Sequence, residues 1–152
     1  MSTNPKGDLA AASEGGPGGA DKWRHKDVWS LDGQDFMVQV SRHSVESYRE
    51  YDDTGPHRWC VYAYIYPKHR LFSTFDGPAM WQDAATALPL HCGPSLLRWH
   101  YGDDGKTTSV QVGADYNHLH DDRFTNQASR EEARVVFRDA EELHAHLQGD
   151  VE

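Results

Sequence analysis

Cysteine is scarce in this chain of 152 residues: Cys60 and Cys92 are the only two, and they form no C-x-x-C pair. That excludes a dense disulfide framework and makes a reduced, cytoplasmic setting the expectation. Long apolar runs are missing as well. The first twenty residues lack the apolar core of a secretory signal, and no run approaches the ~20 residues that cross a bilayer, so no membrane role is expected. Basic residues are few, with 15 Lys and Arg against 24 Asp and Glu and a formal net charge of -9. Phosphate affinity comes mainly from Lys and Arg, so this balance disfavours an obligate nucleic-acid binder and a polybasic membrane-surface protein. No P-loop, G-x-G-x-x-G, G-x-S-x-G or zinc-finger spacing occurs, which removes most nucleotide and cofactor classes.

What is present is an organised body behind a plain tail. Residues 1–22 are rich in Gly, Ala, Ser and Pro and too poor in apolar surface to offset ordering entropy, so they read as a disordered tail. Residues 23–152 read as a single α+β domain. Within it, DFMVQVS (35–41) alternates, with Phe36, Val38 and Val40 on one face, as a half-buried strand does. Residues 42–56 turn polar and end in DDTGP, and they fit either a short helix or a longer hairpin arm.

RWCVYAYIY (58–66) is filled with β-branched and aromatic residues. Trp59, Val61, Ala63 and Ile65 face one way and Cys60, Tyr62, Tyr64 and Tyr66 the other, which suits a central strand. DGPAMWQDAATAL (76–88) predicts a short helix capped by Asp76 or Gly77, with Pro78 in its first turn and an apolar stripe of Met80, Trp81, Ala84, Ala85 and Leu88.

LLRWHY (96–101) and TTSVQV (107–112) flank GDDG as a hairpin, and a four-residue loop sets Trp99 opposite Thr108 and Leu97 opposite Val110. Leu97, Trp99, Tyr101, Thr108, Val110 and Val112 then share a face, with Arg98, His100, Thr107, Ser109 and Gln111 on the other. Ser129 and Glu132 form a capping box that opens a helix running to about Gln148, with Ala133, Val136, Phe137, Ala140, Leu143 and Leu147 as its stripe and Gly149 as its stop. The expected architecture is an antiparallel sheet of about four strands, a long C-terminal helix packed on one face, and a short helix in a connection. The helix is expected over the tyrosine face, with the hydroxyls reaching its edge.

Three sets of residues are candidates for chemistry. The histidine count of ten is high, and HLHDD concentrates them. On an extended backbone His118, His120 and Asp122 share a side, and two imidazoles with a carboxylate are a workable shell for zinc, iron or manganese. Asp115 or Asp121 would then move the proton of a metal-bound water in a hydrolase or nuclease. HLHDD also resembles part of the H-x-H-x-D-H signature of metallo-β-lactamase-type hydrolases. That likeness covers five residues, Arg123 stands where the family has its final His, and the family is not carried over. A polar loop held by Asx turns is the plainer alternative.

The second set is the row Tyr62, Tyr64 and Tyr66, which with Arg98 and His100 makes either a protein-binding surface or a stacking platform for single-stranded nucleic acid. The loop 113–125, through Tyr116, is the expected neighbour of that surface. The third set, Arg130, Arg134 and Arg138 at four-residue spacing, reads as a solvated helix face. The leading expectation is a small, non-enzymatic, cytoplasmic binding protein of inhibitor or accessory type with a protein partner and no cofactor. The alternatives are the metal-dependent hydrolase and the single-strand binder.

Overall fold

A computed structural model describes residues 27–44, 55–117 and 121–149, with Asp122 described by its backbone alone. The expected tail, Trp23, most of 42–56, and the histidines 118 and 120 lie outside the described residues. Among these residues five strands form one antiparallel sheet: β1 (Asp27–Gly33), β2 (Phe36–Ser44), β3 (His57–Ile65), β4 (Leu96–Tyr101) and β5 (Thr107–Asp115), in the order β1-β2-β3-β5-β4. The α-helices among the described residues are α1 (Asp83–Thr86), α2 (Asp122–Thr125) and the long C-terminal α3 (Arg134–Gln148). The architecture is α+β, with one strand more than expected. The added strand is β1, an edge strand joined to β2 through Gln34 and Asp35, the latter at φ 68°. Its sequence DVWSLDG exposes Ser30, Leu31 and Asp32 and buries no residue fully, so it carries no apolar alternation.

β3 is central, as its two amphipathic faces predict. Trp59, Val61, Ala63 and Ile65 are buried, while Tyr62 and Tyr64 are half-buried and Tyr66 is exposed. The described residues form two compact units. One holds 27–30, 40–44, 55–60, 115–117 and 121–137, and the other holds 31–39, 61–114 and 138–149.

In the first unit the core is aromatic. Trp29 stacks on Trp59 at 5.7 Å between centroids, and Phe137 of α3 meets the two edge-on at 5.1 and 5.7 Å. The Trp59 indole N–H donates to the Gln127 carbonyl at 2.9 Å, which satisfies the one polar atom of a fully buried ring. Arg42 ties the same segment down, donating to the Ala128 carbonyl and to the Asp27 carboxylate. The capping box forms as read: the Glu132 N–H donates to Ser129 Oγ at 3.1 Å, and Glu132 Oε1 accepts from the Ala128 and Ser129 N–H groups at 2.8 and 3.1 Å. Those backbone donors hold the Glu132 carboxyl below its usual range.

In the second unit Phe36, Val38, Val61, Ala63, Ile65, Val110, Val112 and Ala114 of the sheet are buried, together with Ala140, Leu143 and Leu147 of α3. Phe36 touches the rings of His69 and His144 at 5.4 and 5.0 Å. The end of α3 is held by a pair of residues from the loop after β3. The Leu71 N–H donates to His69 Nδ1 at 3.0 Å, so the ring hydrogen sits on Nε2 and is donated to the Leu147 carbonyl at 2.8 Å. Arg70 donates to the Leu147 and His146 carbonyls at 2.8 and 3.1 Å, satisfying the orphan acceptors of the last turn. Gly149 closes the helix with its N–H on Ala145.

Three expectations need correction. The helix does not cover the tyrosines. Its side chains meet Trp59 in the first unit and Phe36 in the second, on the all-apolar side of the strands. A face without hydroxyls loses nothing on being dried, so it takes the helix, and the tyrosine side keeps its polar tips near water.

The hairpin register is two residues off. Trp99 pairs with Val110 and Leu97 with Val112. One residue of the slip comes from the turn, where Gly102 pairs with Lys106 around Asp103, Asp104 and a left-handed Gly105 at φ 81°. The other comes from a bulge between His100 and Tyr101, beyond which His100 meets Ser109. Two single slips restore the alternation, so Arg98, His100, Ser109 and Gln111 still share a side.

The short helix begins late and spans only α1. Gln82, at its N-cap, turns its amide back on the preceding loop. It accepts from the Asp76 N–H and donates to the carbonyls of Asp76, Gly77 and Ala79. Residues 76–82 are therefore a closed loop and not a first turn, and Trp81, assigned to the buried stripe, is 63% exposed.

Candidate binding face

The side of β3 turned away from α3 carries Tyr62, Tyr64 and Tyr66, and the pairing of β4 with β5 brings charge and polarity beside them. Arg98 lies opposite Gln111, and His100 opposite Ser109. The Tyr64 and His100 rings lie 5.8 Å apart at 31°. Gln111 Oε1 can only accept, so His100 donates its Nε2–H to it at 2.8 Å, which fixes the ring orientation. Gln111 and Ser109 are 5% and 6% exposed, a polar floor beneath the larger side chains.

Tyr62 of β3 packs close to Gly113 of β5. A Cβ on Gly113 would stand 2.4 Å from the Tyr62 ring and 2.3 Å from the Val61 carbonyl, so only glycine admits both at that position. Partial burial raises the Tyr64 hydroxyl above the usual tyrosine range, with the Arg98 guanidinium pulling the other way. Tyr66, 36% exposed, is raised by burial and by the Asp32 carboxylate.

Five of the expected binding residues, Tyr62, Tyr64, Tyr66, Arg98 and His100, thus belong to one unit and flank one another. Tyr116 does not join them. It belongs to the other unit, is 1% exposed, and packs edge-on against Phe124 at 5.0 Å. Asp115 is half-buried and accepts the Asn117 N–H at 3.2 Å, an Asx turn. Asp121 is buried at 5% exposure, just before α2. Asp122 opens α2, and His118 and His120, expected to share a metal with it, lie outside the described residues. No group of three or more His, Cys, Asp or Glu residues placed to hold a metal occurs among the described residues, and that set does not include His118 or His120.

Gly113 and Asp32 belong to the face but were not singled out by sequence reasoning, which placed Gln111 beside Arg98 and His100 without giving it a role. A glycine inside an apolar strand was the available signal for Gly113, whereas Asp32 reaches Tyr66 only through the unanticipated strand. Cys60 is buried and Cys92 is exposed, and the two form no disulfide. No helix among the described residues is long and apolar enough to cross a membrane. Compared with protein-family models, curated proteins and solved structures, the chain matches none of them.

Proposed function

We propose that this protein works by binding a protein partner, without catalysis, through the face built from Tyr62, Tyr64, Tyr66, Arg98 and His100. The observation that carries the reading is the direction of the tyrosine row. It stands on a central strand, away from α3, with Tyr62 and Tyr64 half-buried and Tyr66 exposed. Tyrosine and arginine are enriched at the centres of interfaces, because they offer large contact area with a polar end. Aromatic side chains with few torsions, fixed on paired strands, lose little further freedom on binding. Two of these anchors are already held in place, His100 by Gln111 and Tyr62 by Gly113. The net charge of -9 supports a protein over a nucleic acid as partner. An inhibitor or accessory role suits a chain of this size.

The test is a comparison of partners recovered from the native source by wild-type protein and by the variant Tyr64→Ser/Tyr66→Ser/Arg98→Ser. We expect one or a few proteins to be retained by the first and lost from the second at unchanged melting temperature. Equal recovery by both would overturn the assignment of the face. A catalytic turnover abolished by a single substitution would overturn the non-catalytic reading.

A further inference from the structure

We infer that the occupant of the tyrosine face is a second copy of this chain, packed sheet to sheet with Asp32 of each copy against Arg98 of the other. This rests on the binding reading above and names the partner. The strand order β1-β2-β3-β5-β4 sets β3 in the centre and β1 and β4 at opposite edges. Asp32 on β1 is exposed and lies close enough to act on the Tyr66 hydroxyl. Arg98 on β4 is exposed and acts on that of Tyr64. Within one unit, the row is thus flanked by a negative group on one side and a positive group on the other. Neither of these two side chains has a hydrogen bond or ion pair among the described residues.

The middle of the face is uncharged. Between the two edge strands, residues 36–39, 61–65 and 107–114 include no Asp, Glu, Lys or Arg, although the chain holds 24 acidic and 15 basic residues. Met37, Tyr62 and Tyr64 are half-buried there. Copies of a chain with a net charge of -9 repel one another, and they do so least where two acid-free surfaces meet.

Symmetry selects the second copy. An isologous interface needs a patch that is its own complement. A twofold axis running along β3 lays one sheet on the other with the strand order reversed, so that β1 of each copy lies over β4 of the other. Asp32 then meets Arg98 at both edges, where a guanidinium fork matches a carboxylate, and the tyrosine rows meet between them. A twofold axis across the strands would instead stack β1 on β1 and β4 on β4, bringing like charges to the same edge. Sheets packed face to face about 10 Å apart, with strands within roughly 30° of each other, are the geometry of a β-sandwich, and facing aromatic side chains fill that gap.

The test is sedimentation equilibrium of the full chain with three charge variants. Wild type is expected to form a dimer in the micromolar range. Asp32→Arg and Arg98→Asp should each weaken it roughly a hundredfold, because two like-charge contacts replace two opposite ones. An equimolar mixture of these two variants should dimerise again, since each supplies the charge the other lacks. The double variant Asp32→Arg/Arg98→Asp should dimerise by itself, which shows that the reversed side chains leave the fold intact. A wild type that stays monomeric, single variants that dimerise as tightly as wild type, or a mixture that stays monomeric would each overturn the proposal. A monomeric wild type that still retains a different protein through Tyr64 would overturn the second copy while leaving the binding reading standing.

Discussion

Replacing Gly113 with alanine tests the packing that positions the face. The new methyl carbon would stand 2.3 Å from the Val61 carbonyl oxygen, 2.4 Å from the Tyr62 ring and 2.9 Å from Tyr62 Cα. The ring can swing away, but the two backbone atoms move only if β3 and β5 separate locally. Overpacking a tight site costs about 1–3 kcal/mol, and an obstruction by backbone belongs near the top of that range. The loss of unfolded-state entropy on going from glycine to alanine returns about 0.4–1 kcal/mol. The net expectation is a destabilisation of about 2 kcal/mol, a fall in melting temperature of roughly 4–8 °C. Urea titration followed by tryptophan fluorescence reads it directly. Gly105→Ala is the control for mechanism, since it meets open space but sits at φ 81°, where a Cβ costs about 1–2 kcal/mol through the backbone alone. Adding Tyr62→Ala should rescue neither variant, because the Val61 oxygen still blocks residue 113. A Gly113→Ala protein within about 0.5 kcal/mol of wild type would refute the close approach of the two strands.

Further predictions concern the cap, the phenols and the loop histidines. Ser129→Ala should cost about 1 kcal/mol by freeing the Glu132 N–H, visible as faster amide exchange at the start of α3, and an unchanged stability would contradict the cap. Tyr64 and Tyr66 should ionise above free tyrosine in an absorbance titration, so the stability they contribute is present below the ordinary tyrosine value and lost as pH rises through their folded values. Arg98→Gln should raise Tyr64 further and Asp32→Asn should lower Tyr66, and a Tyr64 that drops on Arg98→Gln would contradict the geometry. Protein purified without chelator or affinity tag should carry far less than stoichiometric metal. Near-stoichiometric zinc, iron or manganese lost on His118→Ala would contradict the non-catalytic account.

Much of this fold was legible because local signals agreed with the final packing. The capping box at Ser129 and Glu132 is self-contained within four residues, and it forms as spelled. The alternation in 58–66 named both faces of β3 correctly. Which face receives α3 was not legible, because apolar surface on both sides made either acceptable. The difference between them, hydroxyls on one side only, decides the matter once the helix must be dried. β1 escaped because an edge strand half in water needs no apolar period. The helix expected from Asp76 failed because Gln82 competes for the backbone of 76–79, a side-chain choice that apolar spacing does not report.

The site divides in the same manner. Tyr62, Tyr64, Tyr66, Arg98 and His100 were legible from strand period and hairpin pairing, even with the register two residues off. Tyr116 was expected beside them as part of the loop 113–125, and the structure places it among the core aromatics of the other unit. The hydrogen bond between His100 and Gln111 joins two strands, and no linear pattern carries that.

The claim that the tyrosine face meets a protein partner is tested most directly by photo-crosslinking in the native source. A benzophenone-bearing residue is placed at position 64 and, in a second protein, at position 134 on the exposed side of α3. The account predicts one dominant adduct from position 64, suppressed by excess unlabelled wild type, and none from position 134. The same adducts from both positions, or none from position 64, would contradict it.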